Sequence, residues 1–246
     1  MAIWDLPASP NSVQVGITLH QEAVPLVDLT DVDVTGSVRI WDAVGSDMTL
    51  KTETKVISGR INDIAWDGES QRIIAVGDGK ERYGHAFTFD SGNTVGEVNR
   101  STIVSNVGQI SGHSAVVNAV AISPNRPFRA ATVSDDTQLV FYHGPPFRFN
   151  SASRSHSKFV YDVSFSPDGK TLVSVGADGK IFLYDGKTGE SKASLSKDNA
   201  HTGSIFAVGW DKSSSKLVTA GADQSVKLWD VETSKIVRYF PLKLMS

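Results

Sequence analysis

The chain has 246 residues, 40% of them hydrophobic and 9% aromatic, which is enough apolar material for one large domain with a sizeable core and too much for a disordered chain. With 24 Lys plus Arg against 27 Asp plus Glu, the formal charge of -3 offers no positive field to nucleic acid or to an anionic membrane surface. Cysteine is absent, which excludes disulfides, thiolate metal sites and a cysteine nucleophile and suits a reducing compartment.

The opening Met1-Ala2-Ile3-Trp4-Asp5-Leu6-Pro7 lacks the basic stretch and apolar core of a signal peptide, and no apolar run is long enough to span a membrane. A soluble cytoplasmic protein is expected, with the sequon Asn99-Arg100-Ser101 left unused. Residues 1–32 alternate briefly at Val13-Gln14-Val15-Gly16-Ile17 but form no complete repeat, and are set apart as an atypical N-terminal segment. From 33 to 240, short alternating strands follow one another between Gly, Asp, Ser and Pro turns, and no helical period is sustained. The chain is expected to be all-β.

Strand endings recur in chain order: Val38-Arg39-Ile40-Trp41-Asp42, Phe87-Thr88-Phe89-Asp90, Leu139-Val140-Phe141-Tyr142-His143, Ile181-Phe182-Leu183-Tyr184-Asp185 and Val226-Lys227-Leu228-Trp229-Asp230. Their last residues lie 48, 53, 42 and 45 apart. A period of roughly 40 to 45 residues, with Gly-His early and Trp-Asp late, is the mark of four-stranded WD-repeat β-propeller blades. The longest gap holds residues 99–111, expected as an inserted surface excursion, and residues 241–246 form a tail. Five blades are recognisable, which leaves a small closed ring and an incomplete seven-bladed propeller both open, since propellers have roughly 4 to 8 blades.

Within the stretch 145–185, an outer strand is expected from Phe147 to about Ser151, the innermost from Val160 to Phe165, the next from Leu172 to Val175 and the third from Lys180 to Tyr184. The tight turn Ser166-Pro167-Asp168-Gly169 places Gly where φ is positive, and Ser123-Pro124-Asn125 and Asp211-Lys212-Ser213 take the same place in neighbouring repeats.

Blades of this kind link a loop His, a strand hydroxyl, a turn Asp and a strand aromatic through hydrogen bonds. The last repeat supplies His201, Thr219, Asp223 and Trp229; the one before it supplies His156, Ser174, Asp178 and Tyr184, both with separations of 18, 4 and 6 residues. The repeat before that supplies His113, Thr132, Asp136 and Tyr142, separated by 19, 4 and 6. A polar group between packed blades costs ~1–3 kcal/mol if unpaired, so these histidines are expected to be structural locks rather than metal ligands or general bases.

Outside the Trp-Asp framework, the segments Ser58-Gly59-Arg60-Ile61-Asn62-Asp63, Gly77-Asp78-Gly79-Lys80-Glu81-Arg82-Tyr83-Gly84, Arg126-Pro127-Phe128-Arg129, Ser134-Asp135-Asp136, Gly144-Pro145-Pro146-Phe147-Arg148-Phe149 and Tyr184-Asp185-Gly186-Lys187-Thr188-Gly189-Glu190 resemble the first propeller of the actin-interacting protein 1 family. The similarity runs from about residue 33 to about residue 240. It implies a non-enzymatic regulator at the actin cytoskeleton that works with cofilin, also called actin-depolymerising factor, to promote severing and disassembly of filaments. The family carries two seven-bladed propellers, whereas this chain shows five blade endings. The alternative is a general WD-repeat scaffold for protein contacts unrelated to actin.

Three positions match places in the family's motifs associated with filament disassembly. Glu81 lies on a turn four residues longer than its counterpart at 175–185, which suggests a presented loop. Asp135 precedes the lock residue Asp136 and is left for a partner. Phe149 lies two residues from Phe147 in an outer strand, with Phe147 expected to pack and Phe149 to anchor an interface; Arg148, Arg154 and Lys158 lie near it.

Nucleotide-binding and hydrolytic motifs fail on inspection. Gly186-Lys187-Thr188 lacks the glycine required where Ile181 stands, and Gly77-Asp78-Gly79 has Arg82 in its third glycine slot with no helix following. No nucleophile elbow or His-Glu-x-x-His occurs, and no cofactor or metal is expected.

Overall fold

Polar turn residues at short intervals cut the apolar sequence into strands too short to stand alone, so they pair into small antiparallel sheets that cover one another's faces. The computed structural model describes residues 28–32, 34–42, 49–80, 82–88, 112–196 and 200–242, and all their regular elements are strands. Sheet one holds β1 (Asp28–Val32), β2 (Ser37–Asp42) and β3 (Thr49–Lys55); sheet two holds β4 (Ile61–Trp66), β5 (Arg72–Gly77) and β6 (Gly84–Thr88). Sheet three contains β7 (Val117–Ile122), β8 (Arg129–Ser134), β9 (Leu139–His143) and β10 (Arg148–Ser153). Sheet four contains β11 (Val160–Phe165), β12 (Thr171–Gly176), β13 (Ile181–Asp185) and β14 (Ser191–Ser194). Sheet five contains β15 (Ile205–Trp210), β16 (Lys216–Gly221), β17 (Ser225–Asp230) and β18 (Lys235–Pro241).

β11 has the expected bounds, and β12 and β13 differ from expectation by about one residue. β10 pairs with β9, so the outer strand at the start of the 145–185 stretch completes sheet three rather than joining β11. β1 lies inside the segment set apart as atypical, where it pairs with β2 from Asp28 opposite Asp42 to Val32 opposite Val38. The rest of that segment, the insertion at 99–111 and most of the 241–246 tail fall outside the described residues.

The sheets stack through their faces. β4, β7, β11 and β15 lead their sheets and pack in succession, each with a bulge after its first residue. Four apolar seams fill the spaces: Val38, Ile40, Ile73 and Phe87 between sheets one and two, and Ile74, Val76, Val140, Tyr142 and Phe147 between two and three. Phe141, Val163 and Tyr184 lie between three and four, and Val173, Val175, Ile181, Leu217 and Trp229 between four and five. The stack is propeller-like, and among the described residues the sheets are not closed into a ring.

Sheet five shows what an uncovered blade face looks like. Val173, Val175, Ile181 and Leu183 of sheet four are buried under sheet five. The residues in the same register of sheet five, Val218, Ala220, Val226 and Leu228, are half-buried or exposed, with Val218 at 38%.

The turn between the second and third strands has one left-handed position in each of the last three sheets. Gly179 takes it with φ +70°, and Thr137 and Gln224 take it at +70° and +57°. Gly169 has φ +70° in the Ser166-Pro167-Asp168-Gly169 turn, as that turn requires.

Candidate functional site

The structure brings the members of each four-residue set together. In sheet five the indole Nε1 of Trp229, which can only donate, reaches Thr219 Oγ1 at 2.9 Å. That leaves the Thr219 hydroxyl proton for His201 Nε2 at 2.8 Å, and directs His201 Nδ1–H to Asp223 Oδ1 at 2.8 Å. Burial lowers the His201 pKa, so its imidazole is neutral with one N–H, as this relay needs.

In sheet four, His156 Nδ1 lies 3.0 Å from Asp178, His156 Nε2 lies 2.8 Å from Ser174 Oγ, and Ser174 Oγ lies 3.2 Å from the Tyr184 hydroxyl. In sheet three, His113 lies 3.0 Å from Asp136 and 2.7 Å from Thr132, whose hydroxyl is 3.2 Å from that of Tyr142. Each carboxylate also accepts the N–H of the residue after the histidine: Ser114, Ser157 or Thr202. Burial alone would raise the carboxyls of Asp136 and Asp178, but these hydrogen bonds and the facing imidazoles hold both below the ordinary value. With both ring nitrogens engaged, these histidines are not placed for proton transfer to a substrate.

Sheet two follows a different rule. Ile57, Ala75 and Phe87 stand where the other sheets carry His, Ser or Thr, and an aromatic partner, and all three are buried in the seam with sheet one. The polar set is replaced as a unit, leaving none of its members orphaned.

Two inner-strand carboxylates pin neighbouring sheets. Asp63 accepts from Val120 N at 2.9 Å and Asp162 from Val208 N at 2.8 Å, each reaching the next leading strand. Burial lifts the Asp63 carboxyl to about 7 against the hydrogen bond from Val120, with the charge of Asp162 adding to the rise. Asp162 rises to about 6 from the same principal cause. A carboxyl with a raised folded pKa binds its proton more tightly in the folded chain. Its contribution to stability is therefore full below about pH 4 and is lost as pH climbs through 7. Asp63→Asn, whose amide oxygen still accepts a hydrogen bond, is expected to be more favourable relative to the parent at pH 8 than at pH 5. Melting temperatures of both proteins at the two pH values check this, and an unchanged gap contradicts it.

Of the three interface candidates, Glu81 lies outside the described residues. Its flanks are tied down, with Lys80 N donating to Ser58 Oγ at 3.3 Å and Gly77 N to Tyr83 O at 2.8 Å. Asp135 is half-buried and not idle as expected: Asn118 Nδ2 donates to its Oδ1 at 2.8 Å, and its own N–H donates to Val116 O. The pairing was hidden in the sequence because Asn118 comes from the leading strand. Phe149 is 51% exposed and Phe147 is 1% exposed. Arg148, Arg154 and Lys158 are exposed.

Asp135 and Phe149 do not form one pocket. Phe149 pairs with Tyr142, which pairs with Ala130, so five residues of β8 and its turn, ~16 Å at strand rise, separate the two levels. Both belong to sheet three, one on its turn and one on its outer strand. Among the described residues, no group of three or more His, Asp or Glu side chains is placed to hold a metal ion.

The family model for the WD domain, G-beta repeat, matches residues 104–143, 149–185 and 191–230. WD repeat-containing protein 1 of Rattus norvegicus is 45% identical over 171 residues, covering 70% of this chain and 26% of that protein. The chain is a WD-repeat protein and a homologue of WD repeat-containing protein 1. The Xenopus tropicalis protein of the same name is 46% identical over the same share, and a WD repeat-containing protein of Schizosaccharomyces pombe is 59% identical over 158 residues, or 64% of this chain and 24% of that protein. This WD-repeat chain spans about a quarter of the length of the relatives it matches. The two vertebrate proteins named WD repeat-containing protein 1 belong to the family that the motifs outside the Trp-Asp framework resemble.

Proposed function

We propose that this WD-repeat chain binds actin filaments decorated by cofilin, in the cytoplasm, and promotes their severing and disassembly. The homology to WD repeat-containing protein 1, the vertebrate actin-interacting protein 1, carries this reading. The mechanism is differential binding: a protein that holds the decorated filament or its fresh ends better than the intact filament shifts the balance toward disassembly, with no bond made or broken. The exposed Phe149 ring and the half-buried Asp135 supply an apolar anchor and a charge on one sheet and its turn. A burial of this kind suits a partner surface because a few anchors carry most of the binding energy.

Co-sedimentation tests it. The purified chain is expected to pellet with cofilin-decorated filaments and to raise soluble actin above the level given by cofilin alone. Glu81→Ala, Asp135→Ala and Phe149→Ala are each expected to weaken that effect several-fold. Failure of the folded parent chain to pellet would reject the actin reading and favour a scaffold for other proteins.

A further inference from the structure

The leading strands are stitched to one another at their second residue, and the chemistry of the stitch changes along the stack. Asn62 Nδ2 donates to Val117 O at 3.0 Å, and Asn118 Nδ2 donates to Val160 O at 2.8 Å. In the next two sheets the same position holds Tyr161 and Phe206, whose rings lie 5.5 Å apart. Phe206 is 56% exposed, and Phe159, just before β11, is 49% exposed. The mouth of the stack is thus amide-lined on sheets two and three and aromatic on sheets four and five.

Asn118 joins the two halves. One N–H of its amide goes to Asp135 Oδ1 at 2.8 Å and the other to Val160 O at 2.8 Å. The carboxylate of sheet three is thereby held against the backbone between Phe159 and Tyr161 of sheet four. Lys158, beside Phe159, is exposed.

From this juxtaposition we infer that Asp135, Phe159, Tyr161 and Phe206 form one recognition ledge for a partner segment that presents an arginine or lysine next to an apolar side chain, with Asn118 as the positioning residue. Carboxylate and aromatic faces attract the same species: the first pairs with a guanidinium or ammonium group, and the second accepts the cation on its ring face and covers the neighbouring apolar group. An acidic or purely polar segment gains from neither. The inference deepens the filament-binding reading and rests on it for the natural partner, but the ledge has its own chemistry and is testable alone.

Two measurements separate the two claims. The first is fluorescence anisotropy with a labelled peptide of alternating Leu and Arg and a matched peptide of alternating Leu and Glu. The second is co-sedimentation with cofilin-decorated filaments. The parent chain is expected to bind the Leu-Arg peptide and not the Leu-Glu peptide. The double variant Phe159→Ala/Phe206→Ala, which removes exposed rings, is expected to melt like the parent and to lose about tenfold in affinity in both assays. Asp135→Asn keeps an acceptor for Asn118 and is expected to flatten the salt dependence of peptide binding. Asn118→Ala, which removes the tether without adding charge, is expected to weaken binding of the Leu-Arg peptide. Absence of Leu-Arg binding, or equal binding by parent and double variant, overturns the ledge. Filament binding that survives the double variant also overturns it while leaving the filament reading in place. Peptide binding without filament binding by the parent leaves the ledge and rejects the filament reading.

Discussion

Phe147→Ala is expected to destabilise the chain by ~3–5 kcal/mol, whereas Phe149→Ala, two residues away, is expected to change stability by less than about 0.5 kcal/mol. Phe147 sits in the seam between sheets two and three with Ile74, Val76, Phe128 and Tyr142, and its ring packs against Gly144 so closely that a side chain there has no room. Truncation removes a filled ring volume from a seam whose strands are fixed on both sides, so little collapse follows and the cavity cost adds to the lost transfer energy. Phe149 is half in water and its ring rests over Gly112. Urea denaturation of the two variants measures the contrast. Similar losses in both would show that Phe149 is a packing residue and remove it from the interface.

Asp178→Ala is expected to cost ~2–3 kcal/mol. Its carboxylate accepts from His156 Nδ1, Ser157 N and Lys180 N, and the imidazole and hydroxyl behind it are buried. Removing the acceptor strands the ring N–H of the buried His156, which is costlier than never having made the bond. Asp178→Asn keeps an acceptor and is expected to lose less. The folded carboxyl lies below its ordinary value, so its charge stabilises the fold above about pH 4 and ceases to do so as pH falls through the folded pKa. The gap between parent and Asp178→Ala is therefore expected to narrow on acidification toward pH 3. A loss under about 0.5 kcal/mol at pH 7 contradicts the lock.

The two tests bear on how much of the molecule the sequence discloses. The locks of sheets three to five were legible because a hydrogen-bonded relay fixes the separations between its members, and turn residues such as Ser166-Pro167-Asp168-Gly169 fixed the strand ends. The contrast between buried Phe147 and exposed Phe149 does not follow from strand alternation, which puts residues two apart on one side; β10 begins only at Arg148, so Phe147 lies ahead of it. The plain seam of sheet two was not legible, because a search for polar signatures passes over Ile57, Ala75 and Phe87. β1 escaped for a related reason: Asp28-Leu29-Thr30-Asp31-Val32 alternates weakly and gains its strand from pairing with β2. The tether between Asn118 and Asp135, 17 residues apart, depends on how leading strands meet across a seam, and no local pattern encodes that.

Sheet two also bears on how these blades tolerate change. Because one blade solves the same position with hydrocarbon and three solve it with a relay, a graft of one member between blades leaves its former partners stranded. His156→Ile alone places an aliphatic group against a carboxylate and a hydroxyl that need it, while a wholesale transplant of all the members satisfies both sides. Mutational paths between the two blade types thus cross a valley, and laboratory evolution of this chain would exchange the residues together or not at all.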